Sequence, residues 1–273
     1  MRRALRPVVL HLALVLGALA TVLPLLWMLS ASLMPAGEAS AWPPRVLPSR
    51  VTFQNYLALF QRLNLGRCFL NSAFVALTTT VLCLLVTSLA GYAFAKLRFP
   101  GRGRTFGALL TAMVIPTQVA MLPLFLLLRS IGLVNTYWGV IIPGVAPVFG
   151  IFMVRQYALS LPDELLDAAR VDGASEFRIY RSIVLPLLRP ILVTLGVFSF
   201  MGAWNDFMWP LIVLTDEKRY TLPVALANLL GEHALDMELM MAGSVLTVLP
   251  VFLLFLALQR SYIEGITLGG VKE

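Results

Sequence analysis

The stretch "LDAARVDGASEFRIYRSIVLP", residues 166–186, gathers Asp167, Arg170, Asp172, Glu176, Arg178 and Arg181 into one short segment. The 273-residue chain around it is 59% hydrophobic and 13% charged, where soluble domains carry roughly 25% charged residues. Its apolar residues come in blocks. A bilayer core of about 30 Å takes about 20 apolar residues as helix, and six blocks approach that length: 8–32, 69–95, 105–128, 137–157, 186–210 and 241–259. Lipid offers no partner to a backbone amide or carbonyl, so each block is expected to be helical. The alternating pattern of a transmembrane barrel does not appear. The expected fold is all-α: a polytopic membrane protein of six transmembrane helices forming one domain over 1–273. The charged stretch falls in a loop at 160–186, between the fourth and fifth spans, and a polar tail follows at 260–273.

The first block follows Arg2, Arg3 and Arg6, as a secretory signal would. Its apolar run of about 24 residues exceeds the roughly 7–15 of a signal core, so it is read as a retained span. Six spans put both ends on one side. That side carries fourteen lysines and arginines, including the loop "KLRFPGRGR" (96–104), against seven on the other. The positive-inside rule makes it cytoplasmic. The net charge of +7 reflects this bias and calls for no nucleic-acid partner. Cys68 and Cys83 are separated by roughly 22 Å along one expected helix, beyond disulfide reach.

Two segments are expected outside the lipid on the far side. Residues 33–68 are Pro-rich and then amphipathic, with Val51, Tyr56, Leu57 and Phe60 on one face of a short surface helix. Residues 211–240 form the other, and neither is long enough for a separate domain. The third block contains "MVIPTQVAMLP" (113–123). Proline removes a donor and kinks a helix, which lipid tolerates only where protein or a water-filled cavity covers the freed carbonyls. The third span is therefore expected to face the interior, near a path.

Within 160–186, Ser160 ahead of Asp163 reads as a helix N-cap, with Pro162 in the first turn. Asp163, Glu164 and Asp167 lie near the positive end of that helix. Leu165, Ala168, Ala169 and Asp172 share a face, kept shallow by the alanines. Gly173 suits the left-handed stop. Ser175 caps a second helix with an apolar stripe of Phe177, Tyr180, Ile183 and Val184, and Pro186 opens the fifth span. A plain solvated connecting loop would also be rich in charge.

The spacing is more specific than that. Asp167-Ala168-Ala169, three residues, Gly173, nine residues, then Ile183-Val184-Leu185-Pro186 resembles the EAA loop of permease subunits from ATP-binding-cassette (ABC) importers, with Asp167 where the motif usually has Glu. "YAFAKLRFPG" (92–101), "WNDFMWPLI" (204–212) and "GITLGGVKE" (265–273) are similar to the carbohydrate-uptake branch, in particular its maltose-type "G" subunit. The resemblance implies a type I ABC importer permease fold in a bacterial or archaeal cytoplasmic (inner) membrane, working by alternating access. The implied partners are a second permease subunit, two ATP-binding-cassette ATPase subunits and an extracytoplasmic sugar-binding protein, besides membrane lipid. It implies an ATPase-docking role for Asp167, Ala168, Ala169, Asp172, Gly173, Ile183, Leu185 and Pro186, and ATPase contact in the tail through Gly269, Gly270 and Lys272. The chain has no Gly-Lys pair and so no phosphate loop of the G-x-x-x-x-G-K-[ST] kind. ATP and magnesium are expected on the ATPase subunits, no cofactor on this chain, and no covalent chemistry from it.

Asp206 is the only carboxylate inside or at the edge of an expected span, and an intramembrane acid is a functional-site hypothesis by default. It reads as part of a substrate path with Trp204 and Asn205, or as a water-exposed interfacial acid. Trp204 suits a sugar ring, or anchors at the interface. Gln118 reads as a path residue or as a helix–helix hydrogen bond, and Thr78, Thr79 and Thr80 as packing residues. His11, His233 and the eleven methionines show no metal-ligand spacing, and no metal is expected. The expected cargo is a sugar or oligosaccharide. The alternatives are a glycerophosphate or polyol carried by the same machinery, a membrane-embedded enzyme, or a stand-alone secondary transporter.

Overall fold

The computed structural model describes residues 2–43, 45–62, 64–232 and 236–268; Gly269, Gly270, Lys272 and His233 lie outside them. Among the described residues every regular element is helical: α1 (Arg2–Ser32), α2 (Gln54–Arg62), α3 (Leu65–Lys96), α4 (Arg102–Ala112), α5 (Thr117–Ser130), α6 (Tyr137–Ile141), α7 (Val148–Leu159) and α8 (Asp163–Val171). There follow α9 (Glu176–Leu187), α10 (Arg189–Asn205), α11 (Met208–Val213), α12 (Leu222–Glu232) and α13 (Met237–Leu268). Four stretches are long and apolar enough to cross a membrane: Val9–Ser32, Leu65–Lys96, Tyr137–Leu159 and Met237–Ala257. By length and composition two bent pairs, α4 with α5 at 104° and α9 with α10 at 77°, each pass as one further span. With each pair counted as one span, the total is the six that the apolar blocks predict.

Both bends have a chemical origin. Pro116 has no N–H and disfavours helix at Ile115, so α4 closes in tight turns, with Met113, Val114 and Ile115 donating to Leu110, Thr111 and Ala112. Pro116, extended at ψ 132°, then leads into α5. Pro123 lies inside α5 without ending it. At the second bend the expected boundary is corrected. Pro186 does not open the fifth span; it lies within α9, and the chain turns at Leu188. Pro190 occupies the first turn of α10, where no donor is needed, and Leu188 is fully buried. The span also stops at Asn205 rather than 210, because Asp206 is extended.

The chain divides into two compact units, Met1–Arg67 with Ala225–Phe252, and Cys68–Val224 with Leu253–Glu273. In the first, Ala31, Met34 and Ala39 form a small core with Trp27, Met237 and Met241. Asn55 on α2 donates to the carbonyls of Ser32 and Met34 at 2.9 Å, and Glu238 accepts the Ala39 amide at 2.6 Å. The buried face of α2 is Asn55 and Leu59, one turn apart; Leu57 and Phe60, expected on one apolar face with Val51 and Tyr56, are exposed. The second unit has two cores. One gathers Tyr92, Val154, Leu166, Ile179, Tyr180, Val184 and Leu188. The other gathers Val75, Leu128, Val140, Ile141, Trp209, Val213 and Leu214.

Candidate functional site

The charged loop is a pair of helices, α8 and α9, joined at glycine. Gly173 has φ +78°. Its amide donates to Arg170 and that of Ala174 to Ala169, the pairing of a Schellman stop. Ser175 then caps α9 by accepting the Arg178 amide. Ser160 does not cap α8. Its hydroxyl bonds back to the Tyr157 carbonyl at 2.7 Å and closes α7, and Pro162, extended, takes the capping position. Within α9 the turn Tyr180–Val184 is widened to π geometry, an irregularity frequent at functional sites.

Polar bonds fix this pair to α3. Lys96 donates to the Leu161 carbonyl at 2.6 Å and to Asp163 at 2.5 Å. Tyr92 donates to Glu176 at 2.7 Å, and Ser88 shares a 2.7 Å hydrogen bond with Tyr180. Arg170 joins the two helices, reaching Glu176 and Asp167 at 2.7 Å each. Hydrogen bonds to Glu176 and then Asp167 push the guanidinium pKa further up. The Asp163 carboxyl is held below its usual range by its hydrogen bond to Lys96 and then by that charge.

Of the residues assigned to docking, Asp167, Ala168, Asp172, Gly173 and Pro186 are exposed and Ala169 is half-buried. Ile183 and Leu185 pack against the core beneath. The stripe expected on α9 is shifted: Ile179, Tyr180, Val184 and Leu188 are buried, while Phe177 is exposed with Leu165 and Val171. A cavity of about 260 Å³ opens between the helices, lined by Ala169, Asp172, Ala174, Arg178 and Ile183 among others.

A second cavity, of about 550 Å³, lies where α5 and α10 break. Gln118 and Asp206, on different spans, both line it, with Thr79, Thr117, Ser199 and Trp209. The other two expected path residues are elsewhere. Trp204 is 1% exposed and packs between Phe69 and Phe200, with ring centroids at 5.4 and 5.8 Å. Asn205 is exposed and off the cavity. Trp209 lines the cavity instead, along with Phe149 and Phe198. Its indole donates to the Gly139 carbonyl at 3.1 Å, and its amide donates to Asp206 at 3.3 Å. Of the three threonines, Thr80 bonds back to Ala76 as a packing residue, whereas Thr79 lines the cavity.

The sequence reading missed two asparagines that hold the segment beyond α11. Asn71 donates to the carbonyls of Lys218 and Tyr220 at 3.0 Å and accepts from Tyr137 at 2.7 Å. Asn135, at φ 59°, accepts the amides of Thr215 and Asp216 at 3.1 Å. Local sequence marks Asn135 only as a left-handed turn residue.

A family model described as "Binding-protein-dependent transport system inner membrane component" matches residues 87–266. The arabinooligosaccharides transport system permease protein of Halalkalibacterium halodurans is 40% identical over 258 residues, 93% of this chain and 92% of that protein. The lactose transport system permease protein of Rhizobium radiobacter is 34% identical over 277 residues, 100% of this chain and 98% of that one. Among solved structures, a chain of a bacterial ABC transporter involved in the import of the acidic polysaccharide alginate has the same fold. Its TM-score is 0.84 at 24% identity, over 94% of this chain and 96% of that one.

Proposed function

The chain belongs to the family of binding-protein-dependent transport system inner membrane components, and from that premise we propose that it is one of the two permeases of an ATP-driven importer for a sugar or oligosaccharide. The observation that carries the cargo class is that relatives at 34–40% identity over nearly their whole length are named for saccharide transport. A cavity with hydroxyl, amide, carboxylate and indole groups at two helix breaks suits such a cargo. The partners are a second permease, two ATPase subunits that hold ATP and magnesium, and an extracytoplasmic binding protein. The helix pair α8–α9 docks on an ATPase subunit through its exposed Asp167, Ala168, Asp172 and Gly173 and the apolar Leu165, Val171 and Phe177. Closure of the ATPases moves that pair as a rigid body, because Arg170, Tyr92 and Lys96 tie it to α3. Gly269, Gly270 and Lys272 reach the ATPases from the tail. Both termini are cytoplasmic, as the lysine and arginine count demands.

A strain lacking the chain should fail to take up the saccharide bound by the cognate binding protein, and the wild-type chain should restore uptake. Unchanged uptake in the deletion strain would refute the reading. A topology reporter after Gly103 should read cytoplasmic and one near Ala39 external; the reverse would overturn the orientation.

A further inference from the structure

We infer that Asp206 makes the cavity at the helix breaks selective by charge, admitting uncharged polyhydroxyl cargo and turning away saccharides that bear acid groups. The charge assignment rests on the cavity alone; its application to saccharides rests on the function proposed above. Asp206 is the one charged side chain among the lining residues. Among the described residues no Lys, Arg or His comes within ion-pair distance of it. Its carboxylate is held in place where the chain is extended between α10 and α11, accepting the Trp209 amide at 3.3 Å. A carboxylate offers about four acceptor sites, so this bond leaves capacity for hydroxyl donors, and such charge-assisted bonds are the stronger kind. Thr79, Thr117, Gln118 and Ser199 add neutral polar groups. A fixed negative charge in a low-dielectric cleft focuses its field into the opening. It strengthens hydroxyl donors and opposes a second carboxylate. The solved structure with the same fold belongs to a carrier of an acidic polysaccharide; the lining here argues for cargo of different charge.

Gly202 gives a direct probe. It lines the same cavity as Asp206 and has nothing within 4 Å of where a Cβ would stand. Gly202→Cys in the assembled importer, in membranes, is treated with a trimethylammonium and with a sulfonate methanethiosulfonate reagent. The unsubstituted chain serves as the blank, since Cys68 and Cys83 are buried. Thr117→Cys, on the exposed start of α5, provides a second position. The cation should react faster than the anion by about tenfold more than in the Asp206→Asn background, given the effective dielectric near protein charges. Asn keeps the oxygen that accepts from Trp209, so loss of fold is not at issue. An equal ratio in the two backgrounds overturns the assignment, and so does failure of both introduced thiols to react. In a second arm, maltotriose should protect the thiol of the Gly202→Cys variant and trigalacturonate should not, with Asp206→Asn bringing the two together. Equal protection by both with Asp206 present would overturn the selection of cargo by charge. If neither protects while the reagent ratio holds, the saccharide function fails and the charge assignment stands.

Discussion

Lys96, in the last turn of α3, reaches Asp163, the first residue of α8, at 2.5 Å across 67 residues of sequence. The lysine side chain is 6% exposed and the aspartate 72%, so the buried partner comes from the span. Hydrogen bonding to Lys96 lowers the Asp163 pKa from its ordinary 3.8. A carboxyl with a depressed folded value stabilises the fold above its unfolded value, and that contribution is lost as pH falls through the folded value. Amide-exchange protection over 163–171, corrected for intrinsic rates, should stay level from neutral pH to about 5 and decline only below about 4. Lys96→Met should lower that protection at neutral pH and remove its decline in acid, while the loss of the donor to the Leu161 carbonyl persists at every pH. A decline centred near pH 6 would point to another group.

Gly173 is a matter of backbone conformation alone. Nothing lies within 4 Å of a Cβ built there, yet φ is +78°, a region that costs ordinary residues roughly 1–2 kcal/mol. Gly173→Val should insert and accumulate normally but lose the ATPase subunit on purification, and transport-linked ATP hydrolysis with it. Gly173→Asn, which tolerates the left-handed region better, should recover much of both. Full ATPase retention in the valine variant would remove the docking role from α8–α9.

Asp167 separates stability from docking. Its partner Arg170 is one turn away and both are partly exposed, so Asp167→Ala should change thermal stability in detergent by at most about 1 kcal/mol. ATPase retention should nevertheless fall, and Asp167→Glu should keep it. If the alanine variant retains the ATPase, Asp167 serves only to hold Arg170.

Gly139 marks where α6 passes closest to its neighbours. A Cβ there would stand 2.3 Å from the Leu133 carbonyl oxygen and 3.0 Å from a Val213 methyl. That oxygen also accepts the Thr136 hydroxyl at 2.8 Å, so it is not free to withdraw. Gly139→Ala should cost about 1–3 kcal/mol, read as a lowered melting temperature. It should also disturb the cavity, because the Gly139 carbonyl accepts the Trp209 indole. Gly202→Ala, in open space, should cost nothing.

Composition locates α3 and the span Tyr137–Leu159 within a few residues of their ends, since a helix facing lipid must be apolar along its length. It misplaces the start of α10, because Pro186 and Pro190 carry the same local signal and only the burial of Leu188 decides between them. Gln118 and Asp206 stand out as polar groups in apolar runs, and they meet at one cavity. Trp204 and Trp209 belong to the same nine-residue motif, but the chain is extended at Asp206. Helical spacing therefore no longer says which ring faces the cavity. Asn71 finds its partners 147 and 149 residues away, a distance no local pattern reports.

The 104° break between α4 and α5 also constrains how the protein is made. At 1.5 Å per residue, helices of 11 and 14 residues are about 16 and 21 Å long, and neither alone crosses a hydrocarbon layer of about 30 Å. During synthesis this segment has no stable resting place in lipid until Tyr137–Leu159 has emerged to pack beside it. Truncated chains that end near residue 135 and are released from the ribosome should thus be extracted from membranes at alkaline pH more readily over residues 102–130 than released chains that end beyond residue 160, as read by protease protection of that segment. Equal protection at both lengths would mean that the half-helices settle without their neighbour.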